Sequence, residues 1–470
     1  MVESGFFRYP YHRVFHLSKH TGAAEPGRRS CARARSGALA LIAAVWFGTG
    51  PAGCRDRSGC GKDTDCKGAR VCVEGRCRSP EAAPPPPAAR EGAPVAKPLA
   101  PPGAFRRGGP GGMPISVRGP HANPTVAWSV SLGSVVFARA ALARPPGDDG
   151  EAVWAYVGTH GGRFVAVVSD GPGAGRLAFD TQLGGMVWGT AAIVAGRVYV
   201  GADDDVLYVL DAGNGAIVAR HRLGRCEGVR KPGPEGARCD VDGGPTVGFD
   251  GTLFVGADGL YRLRPSGEVI FHHPPPPERA PHVFSTPLVT NDGVYVGTQG
   301  RGLWALRFDG TLRWSFAVAA DVDGSPALDA AGRILVGADD GSVYAVTPDG
   351  RLAYRYRTDR DIRSAVAVSK DGHVYATSFD GRLHVLTPDG DLAWTLSTGG
   401  PIMSSPVLDG DDVVYFGSQD DHLYAVHPSG RVLWALDLGA DVDASVAISP
   451  KGTLVVGADD GVLRGIVEGP

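Results

Sequence analysis

Five segments of this chain carry the same short phrase at a fixed 40-residue step: Val294-Tyr-Val-Gly297, Ile334-Leu-Val-Gly337, Val374-Tyr-Ala-Thr377, Val414-Tyr-Phe-Gly417 and Leu454-Val-Val-Gly457. Looser copies end at Gly158, Gly201 and Gly256, which brings the count to eight. After each phrase comes a tight turn rich in Asp and Gly and a second apolar run, such as Val343-Tyr-Ala-Val346 or Leu423-Tyr-Ala-Val426, so each copy reads as a hairpin. Short β-branched and aromatic runs at this period predict an all-β chain, an eight-bladed β-propeller of four-stranded antiparallel blades.

A Pro-Asp-Gly or Pro-Ser-Gly turn follows the hairpin at Pro348, Pro388 and Pro428, and then a strand with a large residue at a constant offset. Trp314, Tyr354, Trp394 and Trp434 each stand 17 positions past the end of their phrase, and Phe179, Val218 and Phe271 take the slot in earlier copies. A Trp can bury roughly 150–250 Å², several kcal/mol at about 25 cal/mol per Å², so this slot is expected to dock neighbouring blades. The last copy stops at Pro470 without a large-residue strand, whereas Trp128-Ser-Val-Ser-Leu-Gly133 precedes the first copy and reads like Trp434-Ala-Leu-Asp-Leu-Gly439. The N-terminal strand is therefore expected to complete the last blade, closing the ring and removing an open sheet edge.

With Val-Tyr-Val-Gly-x-x-Asp-Gly-x-Leu-Tyr-Ala-Leu-like text and a trailing Trp, residues 124–470 resemble the PQQ-type, tryptophan-docking propeller repeats of quinoprotein dehydrogenases and of the BamB lipoproteins. The fuller family form, Asp-Ala-x-x-Gly after the third strand, occurs at Asp211-Ala-Gly-Asn-Gly215, and elsewhere Pro-x-Gly replaces it. A WD-type propeller shares the period, but Trp-Asp dipeptides are missing from these strands.

The front of the chain reads as three further segments. Residues 1–53 contain Ala38-Leu-Ala-Leu-Ile-Ala-Ala-Val-Trp-Phe47 after several arginines, too short to span a bilayer and of the length of an export signal. Pro51-Ala-Gly-Cys54 resembles a bacterial lipobox, which implies acylation of Cys54 and an envelope lipoprotein, with the outer membrane favoured by Arg55. Residues 54–78 hold Cys60, Cys66, Cys72 and Cys77, read as a two-disulfide module with three possible connectivities. Residues 79–123 are a Pro/Ala/Gly-rich, disordered linker that includes Pro84-Pro-Pro-Pro87. Within the propeller, Cys226 and Cys239 bracket an insertion and are expected to close it as a disulfide.

Strand polarity puts the turn between second and third strands on the same ring face as the connection entering each blade. Both kinds of loop are acidic: Asp203, Asp204, Asp205, Asp258, Asp339, Asp340, Asp380, Asp420, Asp421, Asp459 and Asp460 in the first, Asp240, Asp242, Asp321, Asp323, Asp359, Asp361, Asp441 and Asp443 in the second. An electronegative face is expected, although Asp before Gly is also ordinary turn chemistry. Aligning blades on the start of the innermost strand gives a ring of equivalent positions at the channel mouth: Phe137, Trp188, Asp242, Phe284, Asp323, Arg363, Met403 and Asp443. Their mixed size and charge mark them as a candidate binding ring.

A net charge of −3 gives no electrostatic case for nucleic acid. No nucleophile elbow, phosphate loop or zinc-hydrolase helix occurs, so neither catalytic residues nor a metal nor a cofactor is assigned. The leading expectation is a monomeric, non-catalytic, membrane-tethered scaffold in the bacterial envelope with an unidentified protein partner. The competing one, implied by the resemblance, is an oxidoreductase using pyrroloquinoline quinone with calcium. Such enzymes hold the quinone against adjacent cysteines, and no adjacent pair occurs here.

Overall fold

A computed structural model of the chain describes residues 71–73, 76–78, 117–147, 152–224, 240–274 and 281–470. The chain divides into two units, Met1–Glu91 and Gly92–Pro470. In the first, strands Val71–Val73 and Arg76–Arg78 form an antiparallel hairpin in which Cys72 stands opposite Cys77. The export segment, Cys54, Cys60, Cys66, most of the linker, Cys226 and Cys239 lie outside the described residues.

The second unit contains eight four-stranded antiparallel sheets and, among the described residues, no helix. Blade 4 shows the plan: Leu288–Thr290, Gly293–Thr298, Gly302–Leu306 and Leu312–Phe316, paired in that order from the axis outward. Second and third strands such as Gly293–Thr298 and Gly302–Leu306 are buried along their whole length. Blades stack face to face, so both faces of these strands are covered, which explains continuous apolar runs where a half-exposed sheet would alternate. Fourth strands such as Leu352–Arg357 and Ile217–Arg222 alternate between exposed and half-buried positions, as the rim of the ring requires.

Closure follows the expected route. Pro124–Ser131 pairs antiparallel with Val462–Glu468, Trp128 opposite Gly465, to complete the sheet that holds Ala447–Ile448 and Leu454–Gly457. The seam continues through Leu132 N–H to Gly461 O at 2.7 Å and Val136 N–H to Ala458 O at 3.2 Å.

The docking slot works through the next blade's turn. The indole N–H of Trp314 donates to Pro348 O at 2.9 Å, and that of Trp394 to Pro428 O at 3.1 Å. The glycine of the same turn lies flat under the ring: a β-carbon on Gly350 would stand 2.7 Å from the Trp314 ring, and the residue has φ +85°. The Pro-x-Gly turn thus presents a carbonyl for the indole and a residue without a side chain for its face. Gly215, in the single Asp-Ala-x-x-Gly copy, meets Phe179 in the same way. Gly390→Ala would put a methyl group into Tyr354 at φ +92°. A loss of about 2–4 kcal/mol is expected by chemical denaturation.

Two details differ from the sequence reading. Val218 is 46% exposed, and its neighbour Ala219 occupies the slot opposite Val209. His221, two residues on, supplies the ring and packs against Gly267. In addition, residues 117–123, grouped by sequence with the linker, pack onto the propeller. Val117 O accepts from Gly410 N–H at 2.6 Å, and buried Asp409 takes Gly119 N–H at 3.0 Å and His121 Nε2 at 2.7 Å. Pro120 O accepts the Trp434 indole at 2.9 Å, so this segment stands in for the Pro-x-Gly turn that the last blade lacks.

Candidate functional site

The two acidic loop families meet on one face. Asp339 N–H donates to Asp321 O, Asp459 N–H to Asp441 O and Phe379 N–H to Asp361 O, each at 3.0 Å. The carboxylates nevertheless divide into two kinds. Asp204, Asp340 and Asp420 accept the hydroxyl of the tyrosine four residues on (Tyr208, Tyr344 and Tyr424) at 2.5, 2.5 and 2.7 Å. Asp380 binds His384 at 3.0 Å, and Asp460 engages Arg464. Several of them also cap the amide two residues on, as at Ser342 and Arg382, so these acids lock turns.

At three turns the second residue past the end of the phrase, Gln299, Asp339 or Gln419, faces the ring of positions expected at the mouth. Gln299 Nε2 donates to Asp323 at 3.0 Å, Arg363 to Asp339 at 2.9 and 3.2 Å, and Gln419 Nε2 to Asp443 at 3.1 Å. Each pair is 24 residues apart and joins one blade to the next, and Phe379 and Met403 share that spacing. His160, Gln299 and Gln419 escaped the sequence reading because only acids were collected from these turns. The complementary chemistry of residues 24 apart was the signal that would have found two of them.

Around the mouth the ring has two arcs. Phe137 and Trp188 meet edge to face at 5.1 Å between centroids, His160 lies 4.0 Å from Trp188 and 5.6 Å from Phe137, and Phe284 approaches Trp188 at 6.3 Å. Asp242, from the blade between Trp188 and Phe284, sits 3.4 Å from His282 Nε2, both side chains being buried. The opposite arc holds Asp323, Arg363, Met403 and Asp443. Arg363 also reaches Asp361 at 3.5 Å and lies 5.5 Å from the centroid of the Phe379 ring.

Burial dominates the electrostatics of the acid arc. Asp443, 7% exposed, is pushed up to about 7 by burial and by Asp459 and Asp441, against the Gln419 hydrogen bond. Asp339 is likewise raised to about 7 by burial, Arg363 opposing and Asp323 adding. Asp441 rises to about 6 through burial and through Asp459 and Asp421. On the aromatic arc, burial lowers the His160 pKa, with Asp203 opposing, so the ring is neutral at pH 7.

One tier deeper, hydroxyls stitch neighbouring blades. Gly244 N–H donates to Thr286 Oγ1 at 3.2 Å, Thr286 N–H to Ser325 Oγ at 3.0 Å, Ala365 N–H to Ser405 Oγ at 3.0 Å and Ser405 N–H to Ser445 Oγ at 2.9 Å. This use is structural, and it explains why small hydroxyl residues recur there while the mouth positions above them vary.

These features define a closed, tryptophan-docking propeller with varied chemistry gathered at one mouth of its axial channel. The chain belongs to the family described as outer membrane protein assembly factor BamB, which matches residues 210–320 and 307–464, together more than half of it. No curated protein matched the sequence. Among solved structures, the quinohemoprotein alcohol dehydrogenase of Comamonas testosteroni is similar at TM-score 0.60 and 16% identity, over 75% of this chain and 78% of that one. A europium-containing methanol dehydrogenase gives 0.57 at 13% identity, over 73% and 93%. The computationally designed Ika8 protein gives 0.57 at 16%, over 72% and 98%.

The expectation that the chain is not an enzyme is corrected by these likenesses, because propellers of the same build include alcohol and methanol dehydrogenases. What is shared at such identities is the fold, which hosts redox catalysts as well as other functions. The residues do not fit a calcium-held quinone: among the described residues no three His, Cys, Asp or Glu converge in a metal-holding group, and the sequence has no adjacent cysteines.

Proposed function

We propose that this chain is an envelope protein that binds a segment of another protein across the channel mouth formed by Phe137, Trp188, Asp242, Phe284, Asp323, Arg363, Met403 and Asp443. The observation that carries the reading is a contrast within the repeat. Docking rings and stitching hydroxyls recur blade after blade, whereas the mouth positions above them vary, mainly aromatic on the arc that also holds Asp242 and mainly charged on the arc that also holds Met403. A surface with packing duties alone has no need of such variety, while recognition does. The family description supports a place in outer-membrane assembly, and an acylated Cys54 with the linker that runs from residue 79 to the packed segment at 117 would tether the ring at the membrane.

The test begins with crosslinking in the native envelope and identification of the captured protein. Alanine at Trp188, Phe284 and Arg363 together is expected to reduce that capture at least tenfold with the propeller still folded. Undiminished capture by a folded triple variant would remove the mouth from consideration.

A further inference from the structure

We infer that the aromatic arc seats one lysine side chain of the bound protein, its ammonium held over the Trp188 face and hydrogen-bonded to Asp203. This rests on the mouth being the binding face and adds the chemistry it selects. Phe137, His160, Trp188 and Phe284 come from three blades and meet at 4.0–6.3 Å while all four stay partly exposed. Partly exposed ring faces carry the negative side of the aromatic quadrupole, which attracts a cation. Phe137 and Phe284 stand at 69° and 64° to Trp188, so the faces converge instead of forming a parallel slot. That geometry suits a compact ammonium better than a planar guanidinium.

Charge points the same way. Asp203 is the carboxylate coupled to His160, its backbone is fixed by an N–H bond to Met186 O at 3.0 Å, and its buried Oδ1 accepts no hydrogen bond among the described residues. The Asp203 side chain as a whole is half-buried, and a carboxylate there accepts from any N–H donor that reaches it, which a lysine ammonium is and a quaternary ammonium is not. Across the mouth stand Asp323, Asp339, Asp441 and Asp443. The one arginine of the ring, Arg363, is engaged by Asp339 and Asp361. An incoming acidic segment would meet like charge, and an apolar one would leave Asp203 unserved.

The probe is a fluorescein-labelled nonapeptide of alternating serine and lysine, titrated into the full-length protein and followed by anisotropy. It is set beside versions with norleucine, arginine or trimethyl-lysine in place of lysine. The lysine peptide is expected to bind saturably, and the other three about tenfold or more weaker. Trp188→Leu, Phe284→Leu and Asp203→Asn should each weaken the lysine peptide by about tenfold. Two aromatic variants are included so that one failing to fold still leaves a reading. Equal binding by the folded Trp188→Leu and Phe284→Leu variants would reduce the effect to net charge and overturn the inference. Trimethyl-lysine or arginine binding as tightly as lysine would overturn it as well, as would no binding at all. If crosslinking shows a partner at the mouth but the lysine peptide does not bind, the binding face stands and the lysine seat is gone.

Discussion

Replacing Trp128 with alanine is expected to lower the stability of the propeller by about 3–5 kcal/mol. Trp128 is 8% exposed, donates its indole N–H to Ser169 O at 3.2 Å and covers Gly465 and Gly175, so it joins the first and last blades in one contact. Removing residues 1–131 should do more. The last sheet would lose its outer strand and expose the edge of Val462–Glu468, while Trp434 would lose the Pro120 carbonyl. An unpaired strand edge beside an undocked tryptophan is expected to give insoluble protein. A peptide of residues 117–132 added during refolding should restore the soluble ring. A truncated chain that unfolds with the cooperativity and midpoint of the whole protein would show that the seam lies elsewhere.

The second large effect concerns pH. A carboxyl whose folded pKa stands above its unfolded value holds a proton that the unfolded chain has already released. Its destabilising effect is therefore absent below the usual carboxylate range, grows as pH rises and is complete once pH passes the folded value. For Asp443, raised to about 7, the window runs from about pH 4 to 7, and the full effect is about 4 kcal/mol. Asp443→Asn is thus expected to match the parent at about pH 3.5 and to exceed it by that amount at pH 8. Gln419 can turn its amide to meet the new side chain. His160 and His384 act in the opposite sense, since burial lowers both and their contribution is lost as pH falls below 6.5. Comparing the variant with its parent at each pH cancels that background. Parallel stability curves from pH 4.5 to 8 would contradict the buried, crowded environment assigned to Asp443.

Much of the ring was legible in the sequence because a propeller repeats its chemistry. The 17-residue offset located Trp314, Tyr354, Trp394 and Trp434, and the surplus strand at Trp128 located the seam. Reading failed where a blade departs from the repeat. In the blade that ends with Ile217–Arg222 the turn Asp211-Ala-Gly-Asn-Gly215 is one residue longer than the Pro-Asp-Gly turns, so the slot falls on Ala219, Val218 faces solvent and His221 does the docking. Pro120 was missed because its role is a carbonyl placed by folding, for which a proline-rich stretch gives no local sign. The eight mouth positions followed from alignment alone. The pairing of Asp323, Arg363 and Asp443 with residues 24 earlier, and the split between acids that lock turns and acids that face the mouth, depend on which way side chains leave a tight turn. Hydrophobic periodicity carries no information about that.

Binding at one mouth of the ring is tested most directly by placing a photoreactive phenylalanine analogue at Phe284 or, on the opposite face, at Asp389 in the turn after Pro388, and irradiating cells. Binding at the loop face predicts a discrete crosslinked protein from position 284, lost when Trp188 and Arg363 are also replaced by alanine, with none from position 389. A crosslink from position 389 with nothing at 284 would contradict it.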